Sequence, residues 1–483
     1  MYLGLDLGTS GLRALLVDDG GVPVASEAEA YEAQHPRAGW SEQDPGAWTA
    51  ALDKAMGRLK AAHGPALAAV RGIGVSGHMH GATLLDAEGA VLRPCILWND
   101  TRSFEEAATL DGTEGVRALS GNIVFPGFTA PKLLWVKAHE PETFAKIAKV
   151  LLPAAYMNHH LTGEYFADMS DSAGTAWLDV GKRAWSGALL QAGAMSETQM
   201  PRLVEGSEAG ATLRNDLAAA WGMSRDVIVV GGAGDNAAAA CGVGAMGERQ
   251  GFVSLGTSGV LLTGRDGYAP LPASAVHTFC HAVPGQWYQM GVILAATDSL
   301  NWLARVTGSK PAELSRELGD AIAGPERLRF LPYLSGERTP HNDSHIRGAF
   351  LNLGVESDRK AMTQAVMEGV SFALRDCAEA IGQTGADLGG LLAIGGGAAS
   401  RFWVETIATV LNLPLDLPKA GDFGAALGAA RLAMVGAGAG SVDEIMTRPN
   451  VAGTIEPRAD LAAAYEDAYQ AYRASYPALK TLP

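Results

Sequence analysis

Short runs of leucine and β-branched residues, each stopped by glycine, alternate with stretches of helical period along the chain. That alternation predicts an α/β fold. Residues 1–30 read as a three-stranded meander, with Asp19-Gly20-Gly21 as its second turn. Asp44-Pro45 opens a helix reaching residue 62, with an acidic cap, proline in the first turn, and Trp48, Leu52, Ala55, Met56 and Leu59 on one face. Residues 70–75 form a short buried strand that stops at Ser76-Gly77-His78-Met79-His80-Gly81. Residues 82–85 and 91–98 are expected to pair as a hairpin. From 100 to 223 the pattern is mixed and has the character of insertions upon a core.

The pattern sharpens again at Val227-Ile228-Val229-Val230, a buried strand running into Gly231-Gly232-Ala233-Gly234-Asp235-Asn236 and a small-residue helix over 237–241. Helices are predicted at 299–307 and 358–382. A strand, Leu391-Leu392-Ala393-Ile394, ends in Gly395-Gly396-Gly397. A glycine-rich turn at 436–440 precedes a last helix over 460–473.

One word occurs twice. Leu7-Gly8-Thr9-Ser10-Gly11 recurs as Leu255-Gly256-Thr257-Ser258-Gly259, each time between two apolar strands. Glycines let such a turn bend sharply, and its N–H groups can converge on an anion. Two copies half a chain apart predict two similar domains facing one nucleotide, over 1–244 and 245–483. A length of 483 residues agrees with two large domains.

Charge narrows the partners. The net charge is −15, from 37 Lys and Arg against 52 Asp and Glu, with no basic run. This argues against nucleic acid and against anionic membrane surfaces. The four cysteines, Cys95, Cys241, Cys280 and Cys377, form no C-x-x-C and read as buried thiols of a reducing, cytoplasmic compartment. No signal peptide is visible and no apolar stretch reaches spanning length.

The candidate chemistry sits at strand ends. Asp6 ends the first strand, where a carboxylate can hold Mg²⁺ through water, and Arg13 is near enough to meet a phosphate. Asp235 follows a buried strand beside Asn236, where an α/β protein displays reactive groups. Phosphoryl transfer to an alcohol needs such a carboxylate to take the hydroxyl proton, although Asp235 also suits a plain helix cap. His78 and His80, two apart, are expected to point the same way, one toward a polyol. Gly242-x-Gly244-x-x-Gly247 follows a helix rather than a strand and is read as chance. His341-Asn342-Asp343-Ser344-His345 reads as a polar loop, and Glu337-Arg338 before it could face the cleft.

Asp6 to Arg13, Trp40-Ser41-Glu42-Gln43-Asp44-Pro45, Met79-His80-Gly81-Ala82-Thr83-Leu84-Leu85-Asp86, Gly127-Phe128-Thr129-Ala130-Pro131-Lys132, Gly234-Asp235-Asn236 and Pro332-Tyr333-Leu334-Ser335-Gly336-Glu337-Arg338-Thr339-Pro340 together resemble the FGGY carbohydrate kinases of the actin–hexokinase superfamily. Met79-His80-Gly81-Ala82-Thr83 narrows the resemblance to the branch whose sugar is D-xylulose. The resemblance implies two actin-like (ribonuclease H-like) domains with ATP and sugar in the cleft between them. It implies transfer of the ATP γ-phosphate to the sugar's C5 hydroxyl, and a possible homodimer. By the same likeness Asp235 is the general base, Asp6 and Asp235 support Mg²⁺, and Met79, His80, Asp235 and Asn236 touch the sugar. Gly8, Thr9, Ser10, Gly11 and Arg13, with Gly256, Thr257, Ser258 and Gly259, fall at phosphate loops, and Gly396 and Gly397 at the adenosine motif. Two residues depart from the family pattern: His78 stands where Gln is usual, and Asn352 where Gly is usual. Rival readings are a kinase of ribulose, glycerol or gluconate, or a non-enzymatic ATP-driven chaperone or filament protein on the same fold.

Overall fold

Tyr2–Leu7 (β1), Gly11–Val17 (β2) and Pro23–Ala30 (β3) form the predicted meander in a computed structural model that describes residues 1–419 and 424–481. Residues 420–423 and 482–483, both within the second predicted domain, lie outside the described residues. Gly72–Gly77 (β4) lies parallel to β1 and places Ser76 opposite Asp6. Ile228–Val230 (β6) lies parallel beyond it, and Ala209–Thr212 (β5) closes that edge antiparallel. The order is β5-β6-β4-β1-β2-β3, with Ala233–Gly234 pairing the end of β4. Both faces of β1 and β4 are covered, so they read as nearly continuous apolar or small runs rather than alternating ones.

The second half repeats the plan. Gly251–Leu255 (β7), Gly259–Arg265 (β8), His277–Cys280 (β9), Trp287–Ile293 (β10), Leu391–Ile394 (β11), Leu415–Pro418 (β12) and Val451–Ile455 (β13) make a sheet of order β9-β10-β8-β7-β11-β12-β13. From β13 inward, every strand through β10 matches one from β5 to β3, parallel for parallel and antiparallel for antiparallel. The duplicated α/β plan predicted from the repeated word is therefore present, with β9 as an addition.

Three large hydrophobic clusters, with a small fourth around Leu85 and Leu151, hold the described residues together. One packs the Pro45–Ala68 helix on the first sheet through Trp48, Leu52, Leu5 and Val75. Another packs Arg359–Gly382 and Arg401–Leu411 on the second sheet. The third crosses between halves and joins Met79, Ala237, Tyr288 and Leu427. Its spine is a pair of helices, Asp235–Val243 and Ala425–Gly436. They cross so closely that a Cβ on Gly428 would lie 1.7 Å from the Ala238 carbonyl oxygen. The second helix, although it belongs to the later half of the sequence, also lies on the first sheet. Cβ atoms on Gly4 and Gly74 would meet the carbonyls of Ala426 and Ala429 at 1.9 and 2.1 Å. The later half thus lends one helix to the first sheet.

Several expectations are corrected. The Pro45 helix runs on to Ala68, through a kink at His63 next to Pro65, because the proline ends the ordinary hydrogen-bond ladder without ending burial on the core side. Residues 82–85 and 91–98 meet only at isolated bridges. Thr83–Leu85 pairs instead with Lys149–Leu151, and Cys95–Ile96 with Glu42–Gln43. After the 436–440 turn the chain makes β13 before the last helix, which spans Ala462–Lys480. That strand is exposed on four of its five residues, so it carries almost no apolar signal. Asn352 occupies the left-handed region at φ 63°, a backbone that Gly or Asn accepts and most residues resist.

Candidate active site

Asp235 is the first residue of the Asp235–Val243 helix rather than part of the preceding loop. Gly232, at φ 81°, turns the chain off β6, and its Cα approaches β4 so closely that a Cβ would lie 2.1 Å from the Val75 carbonyl. The Gly234 N–H then donates to Ser170 Oγ at 3.2 Å, and Ser170 Oγ donates to Asp168 Oδ2 at 2.5 Å. This buried relay fixes where the helix begins and hence where Asp235 projects.

The Asn236 backbone N–H and side-chain Nδ2 both donate to Asp235 Oδ1, at 2.7 and 2.8 Å. Burial among protein groups, followed by the Asp6 carboxylate, pushes the Asp235 carboxyl up to about 7. Asp6 accepts from Ser76 Oγ at 3.2 Å across the β1–β4 pairing. The two carboxylates therefore face a common space. Among the described residues no cluster of three or more acidic, His or Cys side chains could enclose a metal. Two carboxylates suit a hard cation that brings its remaining oxygen ligands with it, as Mg²⁺ does on a nucleotide.

Met79 and His80 follow β4. The His80 backbone is left-handed, at φ 70°. Its ring stacks on Phe128 with centroids 4.7 Å apart, and Nδ1 donates to the Gly174 carbonyl at 2.7 Å. A carbonyl only accepts, so Nδ1 carries the proton and Nε2 is an acceptor. Burial, with the Lys132 ammonium nearby, pulls the imidazole down to about 3 and keeps it neutral. His78 does not share that direction. Its ring meets Trp48 edge-on at 5.5 Å, and both ring nitrogens are buried with no protein partner. The expected common face fails because the backbone turns left-handed at His80.

The second half reaches this site through β9 and β10, which the sequence did not foretell, and through Glu337 and Arg338, which it offered as candidates for the cleft. Tyr288 Oη donates to Met79 Sδ at 3.9 Å, His277 packs on Phe125 at 5.0 Å, and the Arg338 guanidinium lies 4.9 Å from the Phe125 ring centre. Glu337 points inward and accepts from the Leu294 and Arg338 N–H groups at 3.0 and 2.8 Å. Asn122 and Thr278 exchange paired hydrogen bonds at 2.9 Å across the halves. Aromatic and histidine residues alternating along His277-Thr278-Phe279-Cys280 were the available signal.

The two repeated turns are held differently. In the first, the Gly8 N–H donates to the Gly11 carbonyl at 3.0 Å, Trp98 Nε1 to Thr9 Oγ1 at 3.0 Å, and Tyr31 Oη to the Gly8 carbonyl at 2.6 Å. Arg13 Nε donates to Ser26 Oγ at 2.8 Å. In the second, the Thr297 N–H and Oγ1 donate to the Gly256 carbonyl at 2.9 and 2.7 Å. Beside that turn, Gly396 and Gly397 line a cavity of about 660 Å³ with Leu300, Asn301, Ser400 and Arg401. That volume suits a nucleoside. A neighbouring cavity of about 500 Å³ brings Ala239, one turn along the Asp235 helix, together with Ser254 and Gly395. The second cavity thus places the Asp235 helix beside the strand that leads into the second turn and beside the triple-glycine segment.

Residues 1–242 match the model of the FGGY family of carbohydrate kinases, N-terminal domain, and residues 251–437 match its C-terminal domain. The chain is 45% identical over 485 residues to a xylulose kinase of Escherichia coli (strain K12), covering 100% of both chains. It is 47% identical over 439 residues to a xylulose kinase of Klebsiella pneumoniae, covering 90% of each. A crystal structure described as a xyloylose kinase from Brucella ovis superposes with TM-score 0.98 at 56% identity, covering 100% of each chain.

Proposed function

The chain belongs to the FGGY family of carbohydrate kinases, an ATP-dependent sugar kinase by that membership, and we propose that its sugar is D-xylulose, phosphorylated at the C5 hydroxyl. The observation that carries the reading is the grouping of Asp235, Asn236, Met79 and His80 at adjoining strand ends, in a chain similar over its whole length to xylulose kinases. Asn236 occupies Oδ1 of Asp235, which leaves Oδ2 for the hydroxyl. As the C5 oxygen bonds to the γ-phosphorus, its proton passes to Asp235, the bond to the β-phosphate oxygen breaks, and ADP leaves. His80 Nε2 accepts from a second sugar hydroxyl and fixes the pose.

Gly8 to Gly11 with Arg13, and Gly256 to Gly259, serve the phosphates, while Gly396 and Gly397 seat the adenosine. Asp6 and Asp235 would hold Mg²⁺, which supplies charge neutralisation on the phosphates. The first domain, 1–244, carries the sugar side and the second, 245–483, most of the nucleotide side.

The test is ADP release with ATP and Mg²⁺ across D-xylulose, D-ribulose, L-ribulose, glycerol, gluconate and no sugar. A strong preference for D-xylulose is expected. A profile led by another sugar overturns the substrate, and no stimulation by any sugar overturns the reaction.

A further inference from the structure

Lys132 is fully buried on the Thr129–His139 helix, among Ala130, Leu133 and Val136. Its Nζ donates to the His80 carbonyl at 2.8 Å and to the Gly127 carbonyl at 2.6 Å. Among the described residues no carboxylate stands within ion-pair distance of it. A buried ammonium held only by carbonyls is costly, and an apolar side chain of similar length would pack there at less expense. Something other than packing therefore accounts for the lysine at this place.

The carbonyl it grips belongs to the strained residue of the site. His80 has a left-handed backbone, which is uncommon outside glycine even though histidine takes it more readily than most residues. Such a conformation persists only where its surroundings over-determine it. Thr129 Oγ1 adds a second donor to the His80 carbonyl, at 3.2 Å, while Gly174 and Phe128 fix the ring. Gly174 has no side chain for a simple reason: a Cβ would lie 2.4 Å from His80 Nδ1.

We propose that Lys132 is a positioning residue for sugar binding: by holding the His80 carbonyl it fixes the left-handed backbone that aims His80 Nε2 at a sugar hydroxyl. This rests on the D-xylulose reading above. In this role Lys132 acts on the sugar through the His80 carbonyl rather than by contact with sugar or nucleotide.

A double-mutant cycle tests it, with Lys132→Met, His80→Ala and the pair assayed on the full chain. Lys132→Met is expected to raise KM for D-xylulose about tenfold and to leave KM for ATP and kcat within about twofold. In the His80→Ala background the same change should add less than about twofold, since the group it positions is gone. An unchanged KM for D-xylulose, or effects that multiply in the pair, overturns the proposal. So does an equal rise in KM for ATP, which marks a general structural loss. If Lys132→Met fails to fold, Thr129→Val decides: its smaller rise in KM must likewise vanish in the His80→Ala background. Wild-type protein without D-xylulose-stimulated ADP release overturns the substrate reading as well, whereas an active wild type with an indifferent Lys132→Met overturns this inference alone.

Discussion

The same five residues, Leu-Gly-Thr-Ser-Gly, build two hairpins that differ by one residue in register. In the first, Leu7 stands opposite Leu12 and Asp6 opposite Arg13. In the second, Leu255 stands opposite Gly259 and Ser254 opposite Val260. Gly11 bonds back to Gly8 and has no ladder partner in β1, while Gly259 pairs with Leu255; toward the next strand both are paired, Gly11 with Ala30 and Gly259 with Ile293. Directly opposed residues share a face, so only the first hairpin sets a carboxylate and a guanidinium side by side. The second offers backbone and hydroxyls. On the proposed function, the two similar sheets divide the labour: charge and proton transfer in one half, nucleotide seating in the other.

The largest expected effect breaks that division at its chemical end. Asp235→Asn should lower kcat about 10³-fold and leave the fold intact, as steady-state assays and circular dichroism would show. The same variant has a signature in stability. The folded pKa of Asp235, about 7, lies above its unfolded value, so the proton's contribution to stability is present below pH 4 and lost as pH rises toward 7. Asparagine escapes that loss, and without nucleotide its thermal midpoint should exceed wild type by a margin that grows from pH 5 to pH 8. An equal margin at both values would remove the shifted carboxyl. In the active enzyme, kcat/KM should rise with pH through an apparent pKa near 7 as Asp235 ionises.

A smaller effect tests the joint between halves. Gly428→Ala forces a methyl into the Ala238 backbone and should cost about 3 kcal/mol in denaturant unfolding. Gly57→Ala, in an exposed helix position with nothing within 4 Å, should instead stabilise by about 1 kcal/mol. If both behave alike, close approach is not what glycine provides at the crossing.

The smallest effect separates the two turns. Thr9→Val removes the acceptor of the Trp98 indole and should cost about 1 kcal/mol, while Thr257→Val should stay within about 0.5 kcal/mol. Equal losses by thermal melting would erase the distinction between the copies.

Much of this was legible before any coordinates. Apolar runs stopped by glycine located β1, β4, β6 and β11 to within two residues, and the repeated word announced the duplicated sheet. Asp235 and Met79-His80 stood out because strand ends followed by glycine display side chains. What stayed hidden depends on partners remote in sequence. Lys132 looks like one more surface lysine until Gly127 and His80 close over it. The two copies are held differently by Tyr31, Trp98 and Thr297, none of which lies in the repeat. The second half's contribution to the sugar side rests on β9 and β10, whose histidines and aromatics read equally well as plain core.

The glycine contacts of the Ala425–Gly436 helix bear on how the molecule is made. Gly4 and Gly74 leave the ribosome well before the backbone they receive, that of Ala426 and Ala429. The face of the first sheet must therefore wait, uncovered, while several hundred further residues are synthesised. Contacts of such long range slow folding and leave apolar surface open to wrong partners in the interval. The growing chain has to be sheltered, or folded provisionally, until its own last quarter arrives to finish the first.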